Sequence, residues 1–347
     1  NLKYMNIYSS VEGNNIDKII VLFNSVLINA DSEKKDQLKF YLLVDKLPNE
    51  LPFIPDEISS ILEIKELELN TVWRNTLNQF NENFYKRSSW CKSDMNFARF
   101  LFFNHFPEVK RAVYLDWDMI VITNIFKLEE EYNNYDNMIV ANCGKQTILT
   151  NIFKPEFSLK SDELVTKSAI ARQENIKIKS IFTFLDLDNT IYKVNGFNAG
   201  FYIVSDKHFE EIYLLELLRK LIKIQVKFKC FNFGTQVVMN LMCINKRTFI
   251  DNKWNHLPNI DDLDSLNIIH WNGTVKPWNS DLSTNKIWID YYTKIYPKII
   301  YQPSSKDVLD NNKSNTSIKQ NIHIITKKNN LIKRNNLIKL LNSKYKD

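Results

Sequence analysis

Two aspartates one residue apart, Asp116 and Asp118, follow the continuously apolar run Ala112-Val113-Tyr114-Leu115. On an extended backbone, side chains at i and i+2 point the same way. Two carboxylates so placed can share a hard divalent cation. Open α/β sheets put ligands beyond the carboxyl ends of their strands, where this run would deliver the pair. Carboxylates close to buried residues are costly unless a cation compensates them. Taken alone, Asp-x-Asp also fits a solvated turn after a strand.

A second constellation is far more specific: His270-Trp271-Asn272-Gly273-Thr274-Val275-Lys276-Pro277-Trp278. A His closing a short strand can give an imidazole nitrogen to a metal. Gly273 lets the backbone approach a phosphate closely, and Lys276 adds a mobile positive charge. Pro277 and Trp278 would stiffen and anchor the loop. The bland alternative is a core His, a surface Lys and a buried Trp. Two weaker signals follow. Asn198 in Asn195-Gly196-Phe197-Asn198-Ala199-Gly200-Phe201 is flanked by small residues that would let its amide face a ligand, and the same stretch reads equally as a turn. Gly234-Thr235-Gln236 opens a helical stretch with polar groups, although Thr is also an ordinary N-cap.

These residues need a frame, and the chain supplies an α/β one. Strand-like and helix-like stretches alternate through the first 125 or so residues. The spacing predicts strands at Tyr4–Tyr8, Phe40–Val44, about 64–69 and Ala112–Leu115, then Met119–Ile122. Helices are predicted at about 16–27, 72–84 and 94–106, the last closed by Pro107. Ala112–Leu115 has no polar alternation, as in a strand covered on both faces. Residues 145–192 are polar and weakly patterned, read as helical excursions or loops over the sheet. A strand is expected over Asn198–Val204, helices over 209–226 and 236–243, and a short strand over 267–270.

Composition narrows the class. Of 347 residues, 44% are apolar and 25% charged, enough for a sizeable globular core. No run of 18 or more apolar residues offers a transmembrane helix. The four cysteines, Cys91, Cys143, Cys230 and Cys243, form no CxxC pair, against a zinc ribbon or a disulfide scaffold and in favour of a reducing compartment. With no signal peptide visible, the expectation is an intracellular protein, cytoplasmic or peripheral to a membrane. The net charge of +6 is local: residues 303–347 hold ten basic and three acidic side chains, and the other 302 residues hold 36 and 37. A near-neutral body argues against nucleic acid as a partner. The chain is therefore read as a body, 1–302, and a basic Asn/Lys-rich extension, 303–347.

In order and spacing, the four constellations resemble glycosyltransferase family 8, retaining nucleotide-sugar enzymes. The resemblance rests on Tyr8-Ser9-Ser10, Arg99 in Asn96-Phe97-Ala98-Arg99-Phe100, Tyr114-Leu115-Asp116-Trp117-Asp118, Asn198-Ala199-Gly200, Gln236, and His270 through Trp278. It covers roughly residues 4–300. It implies a GT-A fold, a Rossmann-like mixed central sheet flanked by helices. It also implies Mn²⁺ (or Mg²⁺) held by Asp116, Asp118 and His270, and a UDP-sugar donor. Lys276 and the Gly273 amide would assist the leaving group. Arg99, Asn198 and Gln236 would be the catalytic residues on the sugar hydroxyls, with Ser9 and Ser10 at the nucleoside. Trp117 would either wall the nucleoside pocket or pack in the core. The acceptor would be a hydroxyl on a glycan, protein or lipid.

Departures from the family matter as well. Thr235 stands where an acidic residue usually precedes the Gln, and Val11 and Glu12 stand near the usual early Asp. No carboxylate at the matched sugar positions could serve as nucleophile, which favours front-face attack over double displacement. The Thr235 change keeps open an impaired nucleotide-sugar-binding module, and a nucleotide-sugar hydrolase is a further alternative. In the tail, Leu331, Ile332, Ile338 and Leu341 fall near helical spacing among Lys333, Arg334, Lys339 and Lys344. That basic amphipathic pattern fits a helix on an anionic membrane, or one docked on the body or on a second subunit of a homodimer.

Overall fold

The computed structural model describes residues 4–84, 93–132, 136–141, 181, 183–185, 195–229, 231, 234–258, 263, 265–273, 276–278 and 285–297. The segment 303–347, with its expected helix, lies outside the described residues. So does nearly all of 145–192.

Seven strands form one mixed sheet: β1 (Met5–Val11), β2 (Leu38–Val44), β3 (Leu62–Glu66), β4 (Arg111–Leu115), β6 (Met138–Ala141), β7 (Phe201–Ser205) and β8 (Arg247–Ile250), in the order β3-β2-β1-β4-β7-β6-β8. The strands β3, β2, β1 and β4 run parallel. β7 is antiparallel to both β4 and β6, and β6 is parallel to β8. The reversed strand matters for the site, because the chain entering β7 meets the chain leaving β4 at one edge. Leu115 pairs with Phe201, and the Asp116 amide donates to the Gly200 carbonyl at 2.9 Å.

β4 is buried on both faces, which explains its unbroken apolar sequence. Ala112 and Tyr114 enter one core cluster, while Val113 and Leu115 enter the other. The first cluster packs under helix α3 (Thr71–Phe84), whose Trp73, Leu77 and Phe80 recur at helical spacing, and under α7 (Glu211–Phe228) and α8 (Gly234–Met242). The second packs under α1 (Ile16–Asn29) and α9 (Asn285–Ile295), which buries Trp288 and Tyr292. A small separate sheet pairs β5 (Met119–Val121) antiparallel with β9 (Ile268–His270), placing Met119 opposite His270. Among the described residues, no helix is long and apolar enough to cross a membrane.

Several expected elements differ in the structure, among them β1, which runs on past Tyr8 through Ser9 and Ser10 to Val11. β3 spans Leu62–Glu66 rather than 64–69, because it pairs with β2 from Phe40 to Val44 and ends where β2 ends. The helix expected at 94–106 is two short turns, α4 (Met95–Ala98) and α5 (Phe102–His105). Between them Phe100 and Leu101 donate to carbonyls three residues back, and the Arg99 carbonyl accepts the Tyr8 hydroxyl at 3.1 Å. β7 begins at Phe201, so Asn198 to Gly200 form the turn that enters it.

Candidate active site

Asp116 lies one residue beyond β4 and Asp118 one residue before β5, so the Asp-x-Asp stretch bridges the two sheets. β9 returns antiparallel beside β5, and the Trp271 amide donates to the Asp118 carbonyl at 3.0 Å. This register carries His270 to the aspartates. One ligand atom each from Asp116, Asp118 and His270 lie within 4.8 Å of one another.

Each side chain is oriented by a neighbour. Asp116 Oδ1 accepts from the Tyr114 hydroxyl at 2.6 Å and from Arg99 at 3.2 Å. Asp118 Oδ2 accepts from Lys276 Nζ, which also donates to the Trp271 carbonyl at 3.2 Å. Burial alone would lift the Asp118 carboxyl, but Lys276 and His270 outweigh it and hold it well below the usual carboxylate range. His270 Nδ1 lies 2.8 Å from Asn255 Oδ1, and the Asn255 amide nitrogen donates to the Ala141 carbonyl at 3.3 Å. An amide oxygen can only accept, so this contact puts an imidazole proton on Nδ1 and turns Nε2 toward Asp118.

The residues present fit a divalent cation. Among the described residues, Asp118 Oδ1 is buried with no hydrogen-bond donor, 3.3 Å from His270 Nε2. A buried unpaired carboxylate oxygen is expensive, and a cation between it and the imidazole nitrogen would offset that cost. Gly200 keeps the space clear: a Cβ there would stand 2.5 Å from His270 Cε1, 2.9 Å from Asn198 Oδ1 and 3.0 Å from Asp116 Oδ2.

The other expected residues surround this group. Asn198 is buried, its amide nitrogen 3.3 Å from Gln236 Oε1 and its oxygen accepting from the Gly200 amide at 2.9 Å. Gln236 sits in the first turn of α8, and Thr235 precedes it there. Arg99, only 6% exposed, donates to the Ala199 carbonyl at 2.8 Å as well as to Asp116. Ser9 and Ser10, at the end of β1, turn their hydroxyls to the Leu115 and Met95 carbonyls, at 2.7 and 3.1 Å. Trp117 is half-buried with its ring centroid 4.6 Å from that of Trp278, so it packs on the core and keeps a partly open face. Gly273 has φ +114°, a conformation side chains resist, in an open turn. Trp278 is anchored against Trp288, centroids 5.3 Å apart.

Two contributors were given no role at the site beforehand. Asn255 sits in a polar stretch of an asparagine-rich chain, with nothing local to distinguish it. Tyr114 belongs to the apolar run, where a tyrosine reads as core. An open cleft of about 400 Å³ lies beyond β1 and β2, lined by Glu12, Gly13, Asn14, Asp45, Lys46 and neighbours.

A family model for glycosyl transferase family 8 matches residues 6–281. The chain belongs to glycosyltransferase family 8, and it is a glycosyltransferase with a GT-A fold. It is similar to the structure of galactosyltransferase LgtC in complex with donor and acceptor sugar analogs, at 12% identity and TM-score 0.56, covering 84% of this chain and 96% of that one. It is also similar to the bifunctional glycosyltransferase WbbM, at 16% identity and TM-score 0.51, covering 85% of this chain and 51% of that one. No curated protein sequence matches it.

Proposed function

We propose that this protein is a retaining, metal-dependent glycosyltransferase. It would move a hexose or N-acetylhexosamine from a UDP-sugar to a hydroxyl on a glycan, protein or lipid. One observation carries the reading: Asp116, Asp118 and His270 converge at the strand edge around a buried carboxylate oxygen that has no donor among the described residues. Two carboxylates and one imidazole suit Mn²⁺, with Mg²⁺ the alternative. Such an ion offsets the charge that grows on a departing nucleoside diphosphate.

The chain's own residues take the remaining tasks. Lys276 and the Gly273 amide lie on the loop that follows His270, placed to meet the diphosphate. Asn198, Gln236 and Arg99 hold the sugar hydroxyls; the Asn198–Gln236 bond and the Arg99 bond to the Ala199 carbonyl fix their directions before a donor arrives. The end of β1, with Ser9 and Ser10, and the half-open face of Trp117 border the nucleoside. Gln236 and Thr235 are poor nucleophiles, so the acceptor hydroxyl attacks from the leaving-group side and passes its proton to the departing phosphate. The basic pattern of 303–347 supports contact with an anionic membrane bearing the acceptor, and deletion of that segment would then abolish liposome binding.

The test is a panel of nucleotide sugars with Mn²⁺, with and without acceptor glycans, scoring released nucleoside diphosphate against an EDTA control. Metal-dependent transfer from one donor supports the reading. Turnover that survives EDTA removes the metal from it. Release that prefers water as acceptor makes the protein a hydrolase, and Mn²⁺-dependent UDP binding without turnover on any donor or acceptor makes it a binding module.

A further inference from the structure

We propose that Tyr114 is a positioning residue: with Arg99, it selects which oxygen of Asp116 is presented to the cation. The proposal rests on the metal site described above. The two oxygens of Asp116 stand in different surroundings. Oδ1 takes two donors, the Tyr114 hydroxyl at 2.6 Å and Arg99 at 3.2 Å. Oδ2 faces the space kept open by Gly200, beside His270. The carboxylate cannot turn without giving up both bonds on Oδ1.

Tyr114 is well built to hold this orientation. It is two residues before Asp116 along an extended strand, hence on the same side. Its ring is fully buried, stacked on Tyr202 with centroids 4.7 Å apart and met edge-on by Tyr8 at 5.0 Å. Arg99 lies over the same ring, 4.5 Å from its centroid. Arg99 is held in turn by the Ala199 carbonyl and, through its own carbonyl, by Tyr8. The phenol and the guanidinium thus reach Asp116 from a packed block with little freedom to drift. Arg99 also places positive charge on the far oxygen of Asp116, which eases the repulsion between two carboxylates brought this close. Asp118 is arranged in the same way from the other side: Lys276 holds Oδ2, and Oδ1 is left toward His270.

The experiment compares full-length wild type, Tyr114→Phe, Arg99→Gln, Tyr202→Phe and Asp118→Asn, titrating Mn²⁺ in the presence of UDP and following the EPR signal of free Mn²⁺. Melting temperatures are measured in parallel. Tyr202→Phe deletes a hydroxyl from the same ring cluster, one bonded to Tyr8 and not to Asp116. Tyr114→Phe is expected to weaken Mn²⁺ binding about tenfold, as loss of a partner behind a metal ligand does. Arg99→Gln weakens it similarly and serves should Tyr114→Phe fold poorly, while Tyr202→Phe binds as wild type does. Wild-type affinity in Tyr114→Phe overturns the proposal, as does an equal loss in Tyr202→Phe. In either case a loss in Asp118→Asn leaves the metal site standing. Absence of Mn²⁺ binding by wild type overturns both.

Discussion

Asn255 accepts the Nδ1 proton of His270 at 2.8 Å, 15 residues away in sequence and in the same buried layer as Asn198. The bond orients the ring and turns Nε2 toward the aspartates, as partners behind metal-binding histidines generally do. Asn255→Ala should therefore raise the Mn²⁺ concentration needed for half-maximal activity by about 10–100-fold. Saturating Mn²⁺ should restore most of the rate. Assaying the variant over a wide Mn²⁺ range checks this, and an unchanged activation curve would remove Asn255 from the site.

Gly200 and Gly273 are needed for different reasons. Gly200→Ala would place a methyl 2.5 Å from His270 Cε1. The expected cost is about 1–3 kcal/mol of stability, as for other overpacked sites, together with loss of Mn²⁺ activation. Gly273→Ala meets open space but keeps an unfavourable φ of +114°. It should cost about 1–3 kcal/mol through backbone strain while leaving Mn²⁺ binding intact. Urea melts and Mn²⁺ titrations of the two variants separate the cases.

Lys276 stabilises the buried Asp118 carboxylate, and the sign of its pH dependence follows. A carboxyl held below its unfolded value contributes stability above that value, about pH 4, and loses it as pH falls further. Lys276→Met removes the cation, and breaking such a buried pair costs about 3–5 kcal/mol near neutrality. The gap in melting temperature between wild type and variant should be widest at pH 7 and shrink toward pH 3. A gap that widens on acidification would contradict the pairing.

The convergence of Asp116, Asp118 and His270 was legible because these residues stand in short, distinctive segments. Asp-x-Asp after a doubly covered strand and the His270 to Trp278 loop carry their candidate ligands and their local geometry together. β6 and β8 were harder to see. Each is four residues long and is stabilised by pairing with distant strands, which leaves little local period to read. The break between α4 and α5 is likewise tertiary, since the distant Tyr8 hydroxyl takes the Arg99 carbonyl. Asn255 acts through hydrogen bonds made only when the fold closes, and no spacing rule marks it, while Tyr114, at i−2 from Asp116 and hence on the same side, sits in an apolar run where a tyrosine reads as core. Arg99 was expected at the sugar hydroxyls, and the structure adds a bond to Asp116 that the sequence pattern does not encode.

The most direct measurement is a crystal of the full chain grown with Mn²⁺ and UDP, with diffraction collected at the manganese absorption edge. The account expects one anomalous peak in contact with Asp116 Oδ2, Asp118 Oδ1 and His270 Nε2, lost in crystals of Asp118→Asn. A peak elsewhere, or none at these three atoms with UDP bound, would contradict it.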